Sequence, residues 1–247
     1  MSRIFMNLNE AIDEIRRDLA EMGHNIHPKS YQNVNVENNN DFAAKEVTNY
    51  MYSVVDPKLS DLPDISEDWV EAEAKERFSG ERINPGEAYK LRPEVWNQFL
   101  VDGEYGKKFD YSYPCRLNPL KSLGNAYEVI NQIDKVAKEL AENPDSRQCY
   151  ISIWNPTDII NMGGKERIPC SLGYLLQVRD NKIQITYLQR SSDFATHFQN
   201  DVALAVLLAM EVSHRIFEKN GTHYKVGLFT HWIGSLHVYN KDVKDVF

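Results

Sequence analysis

The sequence contains few cysteines and no long apolar run. Its three cysteines, Cys115, Cys149 and Cys170, form an odd set without a CxxC pair, which argues against a zinc site and is typical of a reducing compartment. No apolar run approaches the roughly 18 residues that a membrane-spanning helix needs. The N-terminus alternates charged with apolar residues, unlike a signal peptide. We therefore expect a cytoplasmic protein that binds no metal and does not span a membrane.

Positive charge and several catalytic motifs are also lacking. The formal net charge is −8, with 28 lysines and arginines against 36 aspartates and glutamates, which argues against a general nucleic-acid binder. The chain has no glycine-rich phosphate loop, no HExxH motif and no Ser-His-Asp ordering. An anionic small ligand would therefore need a local cluster of positive charge.

The apolar residues that are present predict one α+β domain over residues 1–247. The chain is 42% hydrophobic and 26% charged, as in ordinary globular proteins, without repeats or an obvious linker. Apolar periodicity predicts helices over 8–22 (capped by Asn7), 42–55, 68–78 (capped by Ser66), 92–99, 125–140 and 199–217. Alternation predicts strands over 148–154, 172–178, 182–188 and 224–239, with bulges at Gly227 and Gly234, and an extended segment over 111–117.

The stretch 168–205 combines the residues best suited to chemistry. The strands 172–178 and 182–188 read as a hairpin whose second strand ends in the polar run 189–193 (QRSSD). Cys170 is the candidate nucleophile, although a free cysteine is more often a small buried hydrophobe. Arg190, on the adjacent strand, would lower its thiol pKa. Asp201 opens the following helix, where a carboxylate is also favoured by the helix dipole.

Further polar residues suit the binding of a phosphorylated ligand. Arg147 and Arg190 stand at turn edges, where a guanidinium fork binds phosphate or forms a surface ion pair. His237 and Tyr239 share a face of the last strand, where they would contact hydroxyl groups or complete the core.

Several motifs together resemble thymidylate synthase and its relatives. They are Pro169-Cys170, the run 189–193, GSLHVY over 234–239, NPDSR over 143–147, which is similar to the family's arginine loop, and Tyr105-Gly106, which is similar to its Tyr-Gly turn. The resemblance covers roughly residues 100–240. It implies the thymidylate synthase-like fold, a large mixed β-sheet with flanking helices.

Within this family the chain resembles the phage deoxycytidylate 5-hydroxymethyltransferases, which would place it in a host cytoplasm. NPDSR, FQNDVA and GSLHVY carry this resemblance, and Asp201 stands where thymidylate synthases have asparagine. The chemistry agrees, because a carboxylate accepts from the 4-amino group of cytosine and from a protonated N3, whereas uracil presents a 4-oxo acceptor.

The resemblance implies a mechanism with dCMP and 5,10-methylenetetrahydrofolate as substrates. Cys170 adds to C6 of the base, C5 takes up the one-carbon unit, and water addition gives 5-hydroxymethyl-dCMP. The alternatives are a dCMP 5-methyltransferase with folate as hydride donor and a non-catalytic nucleotide-binding homologue. Glu71 matches the family's acid/base glutamate, which opens a Glu-Leu-x-Trp turn. Because the leucine and tryptophan are absent, Glu73 is an alternative.

The resemblance also implies the remaining site residues and a homodimer with a shared active site. Arg147 would reach the phosphate across the dimer interface. The substrate-binding residues would be Arg147, Arg190, Ser191, Ser192, Asp193, Asn200, His237, Tyr239 and Lys29, although a lysine in a polar loop is usually a solvated charge. Tyr105 and Trp154 would bind the folate.

The chain also departs from the family. Gln148 stands at a second arginine position, Ser171 at a histidine position and His197 at a glycine position. The sequence ends soon after Tyr239, without the segment that closes over folate in thymidylate synthases. We therefore expect water to reach the exocyclic methylene intermediate.

Overall fold

The computed structural model describes residues 3–31, 34–163 and 166–247. Its helices are α1 (Leu8–Met22), α2 (Glu67–Phe78), α3 (Pro93–Trp96), α4 (Tyr113–Leu117), α5 (Gln132–Glu142), α6 (Phe198–Asn220) and α7 (Val243–Val246). Its strands are β1 (Arg3–Phe5), β2 (His24–Ile26), β3 (Ser30–Tyr31), β4 (Val34–Asn35), β5 (Ala44–Val54), β6 (Val101–Gly103), β7 (Gly106–Lys108), β8 (Leu120–Ser122), β9 (Tyr127–Val129), β10 (Tyr150–Ser152), β11 (Ser171–Arg179), β12 (Lys182–Asp193) and β13 (Lys225–Tyr239). None of these helices is long and apolar enough to cross a membrane.

A seven-stranded mixed sheet forms the centre of the molecule. Its strands follow the order β1-β5-β13-β12-β11-β10, and β2 also pairs with β5. β12 and β13 are parallel, as are β1 and β5, whereas the other pairs are antiparallel. Because β11 runs antiparallel to β12, the start of β11 lies at the same sheet edge as the ends of β12 and β13. This arrangement confirms the predicted α+β fold with a large mixed sheet and flanking helices.

The predicted hairpin and long helix are confirmed. Asp180 and Asn181 adopt positive φ angles of 52° and 56° and form the two-residue turn between β11 and β12, a conformation that Asp and Asn tolerate well. Alternate residues of β12, from Ile183 to Gln189, are buried under the helical layer. β12 continues to Asp193, so the polar run 189–193 belongs to the strand, which is longer than the predicted 182–188.

The predicted helix α1 is also confirmed. Asn7 caps it, with its side-chain oxygen accepting from the backbone N–H of Glu10 at 3.0 Å. In α2, Ser66 occupies the cap position without a side-chain hydrogen bond. The predicted helix over 92–99 is the short helix α3 flanked by 3₁₀ turns.

Two predicted elements have the wrong type. The segment predicted as a helix over 42–55 is strand β5, in which Tyr50, Tyr52 and Val54 are buried and which pairs with β13. Its strand conformation comes from distant partners, which a local periodicity does not detect. The segment predicted as extended over 111–117 contains α4, where Ser112 accepts from the backbone N–H of Cys115 and Pro114 occupies the first turn, a favourable helix start.

Two predicted positions also need correction. The helix expected over 125–140 begins only at Gln132, after the Asn131 cap, while Val129 lies in β9 and is 47% exposed. Gly227 lies at a register shift between β12 and β13, as predicted, whereas the pairing around Gly234 is regular. A side chain at Gly234 would instead approach the carbonyl oxygen of Arg190 to 2.8 Å.

The face of the sheet opposite the buried helices carries apolar side chains that are partly exposed. Register places Leu188 beside Trp232, and Trp232 beside Met51, on neighbouring strands. Met51 is 40% exposed, and Leu188 and Trp232 are half-buried. A soluble domain rarely leaves a large contiguous apolar surface without a partner.

Candidate active site

A cavity opens where three strands of the sheet meet the start of α6. The ends of β12 and β13 contribute Ser191, Ser192, Asp193, His237 and Tyr239, and Cys170 lies directly before β11. Asp201, in the first turn of α6, completes this wall. The structure therefore brings together seven of the residues that the sequence nominated. The sheet supplies a rigid edge for side chains that come from distant parts of the chain.

Cys170 lies beside the guanidinium of Arg190. Arg190 Nη2 is 4.0 Å from Cys170 Sγ, and its Nε donates to the carbonyl oxygen of Pro169 at 2.8 Å. Burial raises the pKa of the Cys170 thiol, and the charges of Arg190 and Arg167 oppose that shift. The backbone contacts hold Arg190 next to the thiol, where positive charge favours the reactive thiolate.

Asp201 is held by a neutral donor within the cavity. Its Oδ2 accepts a hydrogen bond from Gln189 Nε2 at 2.8 Å. Burial raises the pKa of the Asp201 carboxyl, while His197, Arg77 and the Gln189 bond act in the opposite direction. A carboxylate that keeps a donor inside a low-dielectric cavity is suited to recognise a ligand through directed hydrogen bonds.

The structure places Glu73, not Glu71, beside the cavity. Glu71 is exposed on α2, whereas Glu73 accepts from Arg77 Nε at 2.7 Å, in a pair whose side chains are 15% and 5% exposed. Trp69, Glu73 and Arg77 recur every fourth residue and so share one helix face. Trp69 and Arg77 line the main cavity, and Glu73 lines an adjoining chamber that shares the wall of Trp69 and Tyr113. Of the two glutamates that the sequence left open, Glu73 is therefore the one that adjoins the cavity.

Three other nominated residues lie away from the cavity. Asn200 is buried, but its Oδ1 accepts from the backbone N–H of Ser66 at 2.9 Å and so links α6 to α2. Lys29 is 81% exposed and pairs with Glu37 at 3.3 Å. Arg147 is exposed on the loop between α5 and β10.

The two residues nominated for folate also lie outside the cavity. Tyr105 is 95% exposed at the tip of the β6–β7 hairpin. Trp154 lines a separate polar groove together with Arg82 and Arg116. Both predictions rested on the resemblance to the family, for Tyr105 through its Tyr-Gly motif, and neither side chain lines the Cys170 cavity.

Arg167 is a functional candidate that the sequence reasoning missed. It lines the main cavity and a second opening next to Cys170, Arg190 and Tyr239. Its guanidinium carbon lies 3.8 Å from the ring centre of Phe99, and its backbone N–H donates to Asp110 Oδ2 at 2.9 Å. Its position three residues before Cys170 was the available signal. Arg167 and Arg190 provide the local positive charge that an anionic ligand needs.

Aromatic side chains form the wall of the cavity on the side of α2. The rings of Trp69 and Trp96 stack with centroids 5.7 Å apart and an interplanar angle of 16°, and Tyr111 and Tyr113 lie beside them. Such a wall suits a planar ring system. Within the described ranges, no group of three or more His, Cys, Asp or Glu side chains is arranged to hold a metal ion.

Comparison with known proteins assigns the family. The thymidylate synthase family model matches residues 85–247, and the chain therefore belongs to the thymidylate synthase family. A similar curated relative is the thymidylate synthase of Mycoplasma genitalium, which is 28% identical over 172 residues, or 66% of this chain and 55% of the relative. The chain thus spans about half the length of that relative.

Proposed function

We propose that this chain transfers a one-carbon unit from 5,10-methylenetetrahydrofolate to C5 of dCMP and adds water, giving 5-hydroxymethyl-dCMP. The observation that carries the proposal is the Asp201 carboxylate, which lines the same cavity as Cys170 and accepts from Gln189. The family supports the one-carbon chemistry. Asp201 supports the choice of cytosine.

Cys170 is the proposed nucleophile. Its thiolate adds to C6 of the pyrimidine, and the electron pair displaced from the C5–C6 bond makes C5 nucleophilic. Arg190, 4.0 Å from Sγ, stabilises the thiolate before attack. The nucleotide phosphate would bind Arg190, Arg167 and Ser191 at the second opening of the cavity, because guanidinium groups bind phosphate through paired hydrogen bonds.

Glu73 is the proposed acid/base group. Arg77, which lines the main cavity, holds its carboxylate at 2.7 Å, and both charges act on Asp201. 5,10-Methylenetetrahydrofolate would supply the one-carbon unit, with its planar ring against the wall of Trp69, Trp96 and Tyr111. From the chamber that adjoins the main cavity, Glu73 would move protons between the base, the folate and water.

Asp201 is the proposed base selector. Its carboxylate accepts from the 4-amino group of cytosine, and one further proton is shared between the carboxylate and N3. Uracil would set its 4-oxo acceptor against the same oxygen atoms. A buried acceptor facing an acceptor leaves both unpaired and costs about 1–3 kcal/mol for each group. His237 and Tyr239, whose rings pack with centroids 4.9 Å apart, would contact the sugar hydroxyl.

A homodimer is proposed because Arg147 lies far from its own cavity. Arg179 donates to the carbonyl oxygens of Pro144 and Asp145, which places this loop at the closed end of the β11–β12 hairpin. Cys170 lies at the other end of β11, a strand of nine residues that spans roughly 26 Å at 3.3 Å per residue. Arg147 would therefore serve a partner's phosphate site. The partly exposed face with Leu188 and Trp232 would form the interface.

The product decides between the proposed function and its alternatives. The purified protein would be incubated with C5-tritiated dCMP or dUMP and 5,10-methylenetetrahydrofolate, followed by mass spectrometry of the nucleotide. We expect tritium release and a hydroxymethyl product from dCMP. A methyl product would identify a methyltransferase, and binding without tritium release would identify a non-catalytic homologue.

A further inference from the structure

We propose that His231 and Tyr52 are positioning residues that fix the direction of the Gln189 amide, and thereby reserve Oδ2 of Asp201 as an acceptor. The inference rests on the proposed role of Asp201 in base selection. Neither His231 nor Tyr52 lines the Asp201 cavity. Both act through a chain of buried hydrogen bonds beneath it.

This series of buried hydrogen bonds has three members. Tyr52 Oη is 3.2 Å from His231 Nδ1, His231 Nε2 is 2.9 Å from Gln189 Oε1, and Gln189 Nε2 is 2.8 Å from Asp201 Oδ2. Tyr52, His231 and Gln189 are at most 1% exposed. Buried polar groups need their partners, so the direction of one bond constrains the next.

The direction follows from the chemistry of each atom. The amide oxygen of Gln189 can only accept, so His231 Nε2 must carry the proton. A neutral imidazole has one protonated nitrogen, which leaves Nδ1 as an acceptor for the Tyr52 hydroxyl. The opposite direction would need a proton on His231 Nδ1 and on Asp201 Oδ2, with the Gln189 amide rotated by 180°.

The packing keeps His231 neutral and in place. Its ring stacks on Tyr187, with centroids 4.6 Å apart and an interplanar angle of 11°, and on Phe198 at 5.9 Å. Burial lowers the pKa of His231 to about 3. The imidazole therefore stays uncharged at neutral pH, and the Tyr52 hydroxyl, which is a stronger donor than acceptor, favours the tautomer in which Nδ1 accepts.

The fixed direction determines where the proton shared with cytosine can lie. Because Oδ2 accepts from Gln189, that proton has to lie on the base side, between the carboxylate and N3. A rotated Gln189 amide would instead let Asp201 hold its proton on Oδ2, toward the Gln189 oxygen. No proton would then lie between cytosine N3 and the carboxylate, and the preference for cytosine would fall.

The same arrangement gives dCMP binding a pH dependence. The charged and titratable groups that act on Asp201 are Glu73 and Arg77 from α2, Arg92, Cys170, His197, and the buried tyrosines Tyr111, Tyr113, Tyr174 and Tyr187. Binding takes up one proton whenever Asp201 is ionised in the free protein. Affinity for dCMP should therefore fall about tenfold per pH unit above the pKa of Asp201. We call the pH at which this fall begins the pH break of dCMP binding. Since the Gln189 bond lowers the pKa of Asp201, loss of the bond should move the pH break to a higher value.

Tyr52→Phe and Tyr50→Phe form a matched pair for the test. Both residues are buried on β5, and each hydroxyl makes one side-chain hydrogen bond, Tyr50 to Asp18 at 2.7 Å. Only the Tyr52 hydroxyl leads to Asp201. Tyr52→Phe should lower the ratio of kcat/KM for dCMP to that for dUMP by about tenfold and move the pH break of dCMP binding upward. Tyr50→Phe should leave both unchanged.

A second measurement needs neither substrate nor variant activity. The measurement is nitrogen-15 NMR of the histidine-labelled protein, with the His231 signals assigned by their loss in His231→Phe. We expect a protonated Nε2 and an unprotonated Nδ1. Protonated Nδ1, or equal effects of the two tyrosine variants, would overturn the inference. A wild-type preference for dUMP would refute the proposed function instead, and the histidine tautomer would still decide the direction of the chain.

Discussion

Replacing Asp201 by asparagine should exchange the preferred base. In the wild-type protein, Gln189 Nε2 donates to Asp201 Oδ2 at 2.8 Å. In Asp201→Asn, the amide oxygen would take the place of Oδ2 and accept this hydrogen bond. The amide nitrogen would then face the base. A donor at that position matches the 4-oxo group of uracil and opposes the 4-amino group of cytosine. We therefore expect dUMP to gain activity and dCMP to lose it.

The size of the change follows from the bonds that are lost. Cytosine would lose a hydrogen bond to a charged acceptor, worth about 1.5–3 kcal/mol, and its 4-amino group would stay buried without a partner, at about 1–3 kcal/mol. A combined effect of about 2.5–6 kcal/mol corresponds to roughly two to four orders of magnitude in kcat/KM for dCMP.

The assay is kcat/KM for both nucleotides with the wild-type protein and Asp201→Asn. Asp134→Asn is the control, because this carboxylate pairs with Lys219 on the surface at 2.6 Å and lies outside the cavity. Its base preference should equal that of the wild type. If Asp201→Asn keeps the wild-type preference, the assignment of Asp201 as base selector is wrong.

Three further predictions concern the acid/base group, the nucleophile and the dimer. Glu73→Gln should lower kcat by about 10²-fold or more, whereas Glu71→Gln, on the exposed face of α2, should stay within about twofold of wild type; the reverse order in steady-state assays would restore Glu71. Cys170→Ser should abolish turnover but keep the melting temperature and dCMP binding, because it removes the thiolate and little volume; turnover near the wild-type rate would exclude covalent catalysis. Mixing inactive Arg147→Ala with inactive Cys170→Ser subunits should restore part of the activity, since one mixed site has both groups. A monomer by sedimentation at micromolar concentration, or no restored activity, would contradict the shared site.

Local sequence signals predicted the part of the site that local structure builds. The hairpin follows from two β-rich runs around Asp180 and Asn181, and it alone brings Arg190 next to Cys170. The apolar period of α6 likewise placed Asp201 at the start of a buried helix. These elements depend mainly on neighbours in sequence.

The errors arose where distant contacts decide the structure. β5 is a strand because β13 and β1 pair with it, and nothing within 42–55 alone reports those partners. The choice between Glu71 and Glu73 depends on the rotation of α2, which the packing of Trp69 and Arg77 sets. Periodicity fixes which residues share a face, here Trp69, Glu73 and Arg77, but an incomplete motif did not indicate which face meets the cavity.

The most direct test of the central claim is the intact mass of the protein after incubation with 5-fluoro-dCMP and 5,10-methylenetetrahydrofolate. Fluorine cannot leave C5 as a proton does, so a nucleotide attacked at C6 should remain attached to the thiol together with the folate. The account predicts a covalent complex on Cys170 with 5-fluoro-dCMP, absent in Cys170→Ser and weak with 5-fluoro-dUMP. Complex formation with 5-fluoro-dUMP alone, or on another residue, would contradict it.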